Sequence, residues 1–411
     1  MFLGAGLLLL SWPAVSPGAA LLVILVARSV SDIGAASGGS LLPSSTIAGL
    51  LACAAIVTAV MPGHGSLPRG ARTWIAAYVV VSLVWAVVAI ASGVSVTDAT
   101  MSLVRWISLL AVGILAYRSA ALGGSERFLY VPVVVASVAS ILGSITQFAP
   151  MIQDGGRIAG TFSHANTAGA FFSVALLVVL DSTLRRPRRS AFIMMALSAA
   201  GLLLTESVSS LIATGIGAFV MIVVSTRLSS GRKLLLISGG GVIALLAVLA
   251  SGVTRRFDEF ETLDIGAAVQ TGVSGNSLEW RFINWHYYLD KLASSPWVGF
   301  GLGSNSEYSP LGAPPHSIFI QTLYDFGLLG SAILLTLTVA AMRLVKRQAP
   351  RAFPIAFGLL SFALVNGFAS NLIGYTAAVY LALAAVGYWV ARSFLARDAP
   401  ASVPRLGGVF A

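Results

Sequence analysis

The chain alternates long apolar runs with short polar breaks along all 411 residues. The runs fall near residues 3–29, 41–60, 73–92, 98–117, 128–149, 165–183, 190–205, 208–226, 234–253, 317–342, 353–373 and 377–395. About 20 apolar residues in a helix cross the hydrocarbon core of a bilayer, where every backbone N–H and C=O must find a partner inside the protein. A closed β-barrel also meets that demand, but it needs period-two alternation, which these runs lack. The pattern therefore predicts an all-α polytopic membrane protein with about twelve transmembrane helices. The expected organisation is helices 1–9 over residues 1–253, an extracytoplasmic loop or cap over 254–315, helices 10–12 over 316–395, and a cytoplasmic tail over 396–411. Pro13 and Pro17 interrupt the first stretch, so it either crosses once or is broken. No basic segment precedes it, and no cleavable signal peptide is expected.

Composition sharpens this picture. Hydrophobic residues make up 57% of the chain and charged residues 10%, with a mean hydropathy of +0.90. Soluble chains carry about 25% charged residues, so the bilayer is the solvent that can accommodate this surface. The net charge of +10 could suggest nucleic acid in a soluble protein. Here the basic residues lie between apolar runs, which points to membrane orientation and anionic headgroups, with no nucleic-acid partner. One set of alternate loops holds Arg69, Arg72, Arg118, Arg127, Arg185, Arg186, Arg188, Arg189, Arg227, Arg232, Lys233, Arg343, Lys346, Arg347 and Arg351. The opposite set holds Arg28, Arg157, Arg255, Arg256, Arg281 and Lys291. Positive charge concentrates in cytoplasmic loops, so the first set is assigned to the cytoplasm. The single cysteine, Cys53, lies in an apolar run and reads as a small core residue.

Two segments on the other side carry polar chemistry, a short one from Pro150 to Ser163 and the long one over 254–315. Loops of more than about 15 residues are usually functional or disordered, and this one mixes acidic, Gly/Ser-rich and aromatic stretches, which suggests a small folded cap. Arg157, followed by Thr161, Ser163, His164 and Asn166, is suited to phosphate through the planar fork of its guanidinium; contact with lipid headgroups is the plain alternative. Arg105 lies inside the fourth run, where a charge costs about 2.5–3.5 kcal/mol on insertion scales and calls for a partner or a wet cavity. Glu206 sits in a tight hairpin, placed to pair with an arginine or to meet sugar hydroxyls, or simply exposed.

In the long loop, Arg281, Trp285 and Tyr288 share a face at helical spacing, next to Glu279. A cation beside aromatic rings suits phosphate next to sugar, and equally an interfacial helix with an aromatic belt. Gly299, Gly301 and Gly303 let backbone amides approach an anion or let the chain turn sharply. His316 opens the tenth run, where the positive end of a helix favours the neutral imidazole, a competent general base; an interfacial cap is the alternative. Asp325 is a second costly charge within a run. His64 sits in a cytoplasmic loop, whereas His164 and His286 face the other way and could line a site. Asp258, Glu259, Glu261 and Asp264 fit no calcium-loop spacing and read as a solvated face. No metal-binding, P-loop or serine-hydrolase motif appears in usable context, so no metal is expected and no nucleotide-driven pump is indicated.

Taken in order, these pieces resemble the O-antigen ligase/polymerase family of bacterial envelope glycan transferases. The matching elements are Arg157, Gly160-Thr161-Phe162, His164 and Asn166; Thr205-Glu206-Ser207; Arg281 and Trp285; Gly299-Phe300-Gly301-Leu302-Gly303; and His316-Ser317 with Gly327 and Gly330. The resemblance spans roughly residues 100–345 and departs mildly at Asp325, where the family often has Glu, and at His164-Ala165-Asn166, where a proline often precedes the Asn. It implies a GT-C-like fold in the bacterial cytoplasmic membrane with the active site facing outside. It also implies a polyprenyl-diphosphate-linked glycan donor, a lipid or glycan acceptor, inversion at the anomeric carbon, and no cofactor or metal. On that resemblance Arg281, Arg157 and Arg105 bind the diphosphate and His316 is the catalytic base. A transporter or flippase of envelope glycolipids, or a non-catalytic assembly protein, are the competing readings. The first would favour internal repeats and midplane sites, neither of which the chain displays.

Overall fold

A computed structural model describes residues 16–33, 44–60, 67–152, 157–250, 263–304 and 313–398. Among these, fourteen α-helices are present and no β-strand; the one isolated bridge joins Ile152 and Ile158. The helices are α1 (Pro17–Val30), α2 (Ser44–Val60), α3 (Arg69–Ala91), α4 (Val96–Ala121), α5 (Arg127–Ile145), α6 (Ala165–Arg185) and α7 (Arg189–Leu204). They continue with α8 (Val208–Val224), α9 (Ser230–Ala250), α10 (Ile265–Thr271), α11 (Ser277–Leu292), α12 (Ile318–Gln348), α13 (Phe353–Asn366) and α14 (Thr376–Asp398). Seven of them (α3, α4, α5, α6, α9, α12 and α14) are long and apolar enough to cross a membrane. Five more apolar helices, α1, α2, α7, α8 and α13, are shorter. The chain is an all-α polytopic membrane protein, as the apolar pattern indicated.

Helix α6 is the centre of the bundle. Its most apolar stretch is 72% buried, against 0% for α9, which runs along the periphery. Phe171 and Phe172 on α6 pack with Phe162 in an aromatic cluster at its head, and α14 lies beside it with Tyr380, Leu381 and Ala384 buried. Helix–helix packing in lipid is driven by close approach of small residues, and glycines mark such crossings here. Gly217 on α8 faces Gly358 on α13, and Gly113 on α4 faces Gly387 on α14.

Several expected helix limits move for local reasons. α1 begins at Pro17, a favoured first-turn residue, behind Ser16, whose hydroxyl accepts from the amide of Ala19. The earlier part of that first run lies outside the described residues. The run near 353–373 stops being helical at Asn366, because the polar string Asn366, Ser370 and Asn371 folds into a connection before α14. His64, Arg255, Arg256, Asp258, Glu259 and Glu261 also lie outside the described residues.

The largest departure is inside α12. Gly327 takes φ 61° and ψ −172° and splits the helix, roughly 14 Å from its first residue at 1.5 Å per residue. Non-helical backbone at membrane depth must be satisfied by protein. The segment 296–302 does this by inserting into the break. Phe300 and Gly301 donate to the carbonyls of Tyr324 and Asp325, and Leu328 and Leu329 donate to those of Pro296 and Trp297. Leu302 donates to the Trp85 carbonyl of α3, fixing the other edge. The glycines are required here: each of Gly299, Gly301 and Gly303 has positive φ, and a Cβ at Gly301 would run into the Ala89 backbone.

Candidate active site

The polar residues gather where five connections meet at one end of the bundle. The segment 157–164 is stapled down first. Ile158 donates to the Leu204 carbonyl, Ala159 and Gly160 share the Met151 carbonyl, and the Thr161 hydroxyl donates to the Ser29 carbonyl at 2.6 Å. This aims Arg157 across the α7–α8 turn. Its Nε donates to the Thr205 carbonyl at 3.0 Å and an Nη to Asn166 Oδ1 at 2.9 Å. His164 caps α6, with Nδ1 accepting from the Asn166 amide at 3.1 Å.

Asn166 is also the head of a buried polar chain that sequence reading missed. Ser207 donates to Asn166 Oδ1 and lies 3.0 Å from the Ser210 hydroxyl. Asn366 at the end of α13 donates to Ser210, and Ser370 closes on Asn366. Half of this chain sits in helical positions, where small polar residues look like ordinary packing. The clue was the set of polar residues Asn366, Ser370 and Asn371 near the end of the run 353–373.

The cap supplies the other half. The carboxylate of Glu279 accepts from the amides of Asp264 and Gly275, and these with the Asn276 amide hold it below the usual carboxylate range. Glu279 thus closes the α10–α11 turn and is not brought to the ligand side. Trp285 and Tyr288 act as clamps on the segment that precedes His316. Trp285 Nε1 donates to the Pro315 carbonyl at 2.6 Å, Tyr288 to Ala313 at 3.0 Å, and Asn284 to Pro314 at 2.7 Å. Three consecutive carbonyls of the 313–315 strap are therefore gripped by one face of α11. The prolines cannot donate, so the strap offers only carbonyls, and α11 supplies the donors.

The grip delivers His316. It takes φ 49°, one of three non-glycine residues with positive φ among the described residues; Glu206 in the α7–α8 turn, also φ 49°, is another. Such backbone strain persists only where surrounding contacts enforce it, and it clusters at functional sites. The edge of the Trp280 ring meets the His316 imidazole, with centroids 4.9 Å apart. The next residue but one, Ile318, opens α12 by donating to the Gly367 carbonyl at 2.7 Å. Strap, cap and α13 thereby converge on one imidazole.

Electrostatics tie the two halves into one group. Burial lowers His316 to about 4, reinforced by the positive Arg281 and by His164. Burial lowers His164 to about 4 as well, reinforced by Arg157 and Arg281. Tyr375, just before α14, is pushed up to about 12 by burial, against the pull of Arg281 and Arg157. Arg281, half-buried on α11, keeps its orientation by donating to the Ser277 carbonyl. The structure thus brings Arg157, His164, Asn166, Arg281 and His316 together and adds Tyr375, which the sequence reading did not single out.

Other candidates lie elsewhere. The Glu206 backbone shapes the turn under Arg157, but among the described residues its carboxylate forms no ion pair with an arginine. The loop amides at 299–302, Gly301 among them, donate to protein carbonyls, and Gly303 takes φ 87° beside α4. Asp325 is 1% exposed at the α12 break, accepting from Ser304 at 3.2 Å, nine positions beyond His316. Arg105 is exposed on α4, and its electrostatic neighbours are Arg28 and Tyr380, not the His316 group. His286 is exposed on the far side of α11.

With two arginines, two neutral imidazoles and a tyrosine hydroxyl converging, the arrangement can hold an anion and accept a proton beside it. Residues 193–335 match the family model described as O-Antigen ligase. This bears out the family resemblance over α7 to the first half of α12, a stretch that includes Arg281 and His316 and excludes Arg157, Asn366 and Tyr375. No curated protein matches the chain significantly.

Proposed function

We propose that this chain, with its O-antigen ligase segment, is a membrane glycosyltransferase that moves a glycan from a polyprenyl-diphosphate donor to a hydroxyl acceptor. The supporting observation is the meeting of Arg281 and His164, itself beside Arg157, with a neutral His316 on a strained, clamped backbone. Arg281 and Arg157 hold the diphosphate and offset the charge that develops on it as the glycosidic bond breaks. His316 accepts the proton of the acceptor hydroxyl while its oxygen attacks the anomeric carbon. The C–O bond to the diphosphate breaks with its electron pair, leaving polyprenyl diphosphate, and the anomeric configuration inverts. Glu206 and Tyr375 stand at the rim as partners for glycan hydroxyls. No metal or cofactor enters this scheme.

All twelve apolar helices cross the cytoplasmic membrane in this reading, with the His316 end outside and the arginine-rich loops inside. The polyprenyl chain lies between helices, open to lipid. The neutral imidazole fits the role: the charge of Arg281, which depresses His316, is offset when the diphosphate arrives, which raises the basicity of the imidazole at the moment of transfer.

The test is transfer by the purified protein in lipid, with polyprenyl-diphosphate glycan from a bacterial envelope extract as donor. Polyprenyl diphosphate released together with a new glycan product is the expected result. His316→Ala and Arg281→Ala, each outside the apolar membrane helices, should both abolish it. Transfer at the wild-type rate by both variants would overturn the assignment.

A further inference from the structure

A second basic group lies below the first turn of α14, on the face turned toward α1 and α4. Arg28, near the end of α1, is only 7% exposed. Its Nε donates to Thr376 at 2.6 Å, and one Nη donates to Ser31 at 2.7 Å and Asp32 at 2.9 Å. Those three acceptors lock the guanidinium plane and leave the second Nη without an acceptor among the described residues. Tyr380, one turn along α14 from Thr376, donates to Ser108 at 2.7 Å. Ser108 is one turn along α4 from Arg105, so Arg105 and Arg28 are brought to the same strip of α14. The charge of Arg28 accordingly acts on Arg105.

Arg105 itself has no carboxylate, carbonyl or ring partner among the described residues, and it is exposed roughly 14 Å along α4 from Val96. An arginine at such depth is retained where something compensates its charge. Asp32 already serves Arg28 through an ion pair. The pair of guanidiniums therefore keeps a net positive charge facing the exposed side of α4, where Cys53 of α2 is exposed too.

We propose that Arg28 and Arg105 form a second phosphate site, separate from the His316 group, which takes the phosphate of a lipid lying against α4. Arg28 is the rigid half and Arg105 the half that closes on the ligand. Two sources share this chemistry: a glycerophospholipid headgroup, and the diphosphate of a second polyprenyl-linked glycan acting as acceptor. Only the second source rests on the transferase reading.

Native mass spectrometry of the full chain tests this, with polyprenyl diphosphate and phosphatidylglycerol titrated separately. The expected result is that Arg105→Gln weakens one lipid-binding event by about tenfold or more, the loss of a charged hydrogen-bond pair. The event removed by Arg281→Gln should survive in Arg105→Gln. Arg105→Lys keeps the charge but not the fork and should fall between. Equal weakening for both lipids identifies a headgroup site; weakening for polyprenyl diphosphate alone identifies the acceptor. Loss in Arg105→Gln with no loss in Arg281→Gln would keep this site and discard the diphosphate role of the first group. Unchanged binding of both lipids by Arg105→Gln overturns the proposal. So does a fall in the melting temperature of the lipid-free protein, because a ligand-binding arginine leaves the empty protein more stable when removed.

Discussion

The first half of α12 joins two polar regions that look alike in sequence and differ in kind. At its head stands His316, and nine positions on stands Asp325 beside Gly327. Around Asp325 the groups are matched internally: loop 296–302 donates to and accepts from both sides of the helix break, and Ser304 meets the carboxylate. Around His316 the backbone is gripped by Asn284, Trp285 and Tyr288, and the imidazole feels the charge of Arg281 and lies beside a second imidazole, His164. A polar motif whose hydrogen bonds close on the protein is architecture. One whose backbone is closed while cationic and imidazole side chains converge beside it is the better candidate for a ligand site.

The widest separation of the two regions comes from paired substitutions. His316→Ala should lower transfer by about 10²–10⁴-fold, the usual contribution of a general base, with the melting temperature unchanged. Gly301→Ala should do the reverse. A side chain there meets the Ala89 backbone at φ +86°, and overpacking costs about 1–3 kcal/mol before the backbone strain is added. Yield and melting temperature should fall while the activity of the folded fraction is kept. If Gly301→Ala instead removed transfer from fully stable protein, the glycine loop would belong to the site after all.

A smaller effect separates charge from fork. Arg281→Lys keeps the positive charge but loses the planar pair of donors, so transfer should stay at least about tenfold below wild type, with KM for the donor carrying much of the change. Full rescue by lysine would mean that a point charge suffices and that the guanidinium geometry is incidental.

Next comes the grip on the strap. Trp285→Phe removes one hydrogen bond, to Pro315, and keeps most of the ring packing against Phe282 and Phe368. The buried Pro315 carbonyl then lacks its donor, a loss of about 1–3 kcal/mol. Because the strap carries His316, transfer should drop several-fold through kcat with donor KM held. A change confined to KM would restore Trp285 to the sugar-binding role that its sequence context suggested.

That outcome bears on what the sequence could say. The apolar runs placed the helices within a few residues, because membrane helices announce themselves by composition over about 20 positions. Arg157, Arg281 and His316 were legible too, since charge and imidazole are rare enough at membrane edges to draw notice. Trp285, Tyr288 and the glycine loop were legible as important but not as what they do. An aromatic ring beside an arginine has the same spelling whether it stacks on sugar or donates to a proline carbonyl. Asn366, Ser210 and Tyr375 were hidden because their meaning depends on helices far apart in sequence meeting at one end, and α12 gave no sign that a loop would enter its break.

The finest distinction lies in pH. In the free protein His316 is held down to about 4 by burial, by the positive charge of Arg281 and by the neighbouring His164. The acid limb of kcat/KM, which reports the free enzyme, should therefore sit near that value, well below the ordinary histidine range. The donor diphosphate brings negative charge beside the same arginines and favours the imidazolium, so the acid limb of kcat, which reports the complex, should lie at higher pH. The sign follows from the charges: lowering pH protonates a base that must be neutral to accept a proton, so activity falls on the acid side in both profiles, and earlier in kcat. Arg281→Gln should raise the kcat/KM limb by removing the nearest positive charge. Coincident limbs, unmoved by that substitution, would separate His316 from the diphosphate and place the site's chemistry on the architectural side of the comparison.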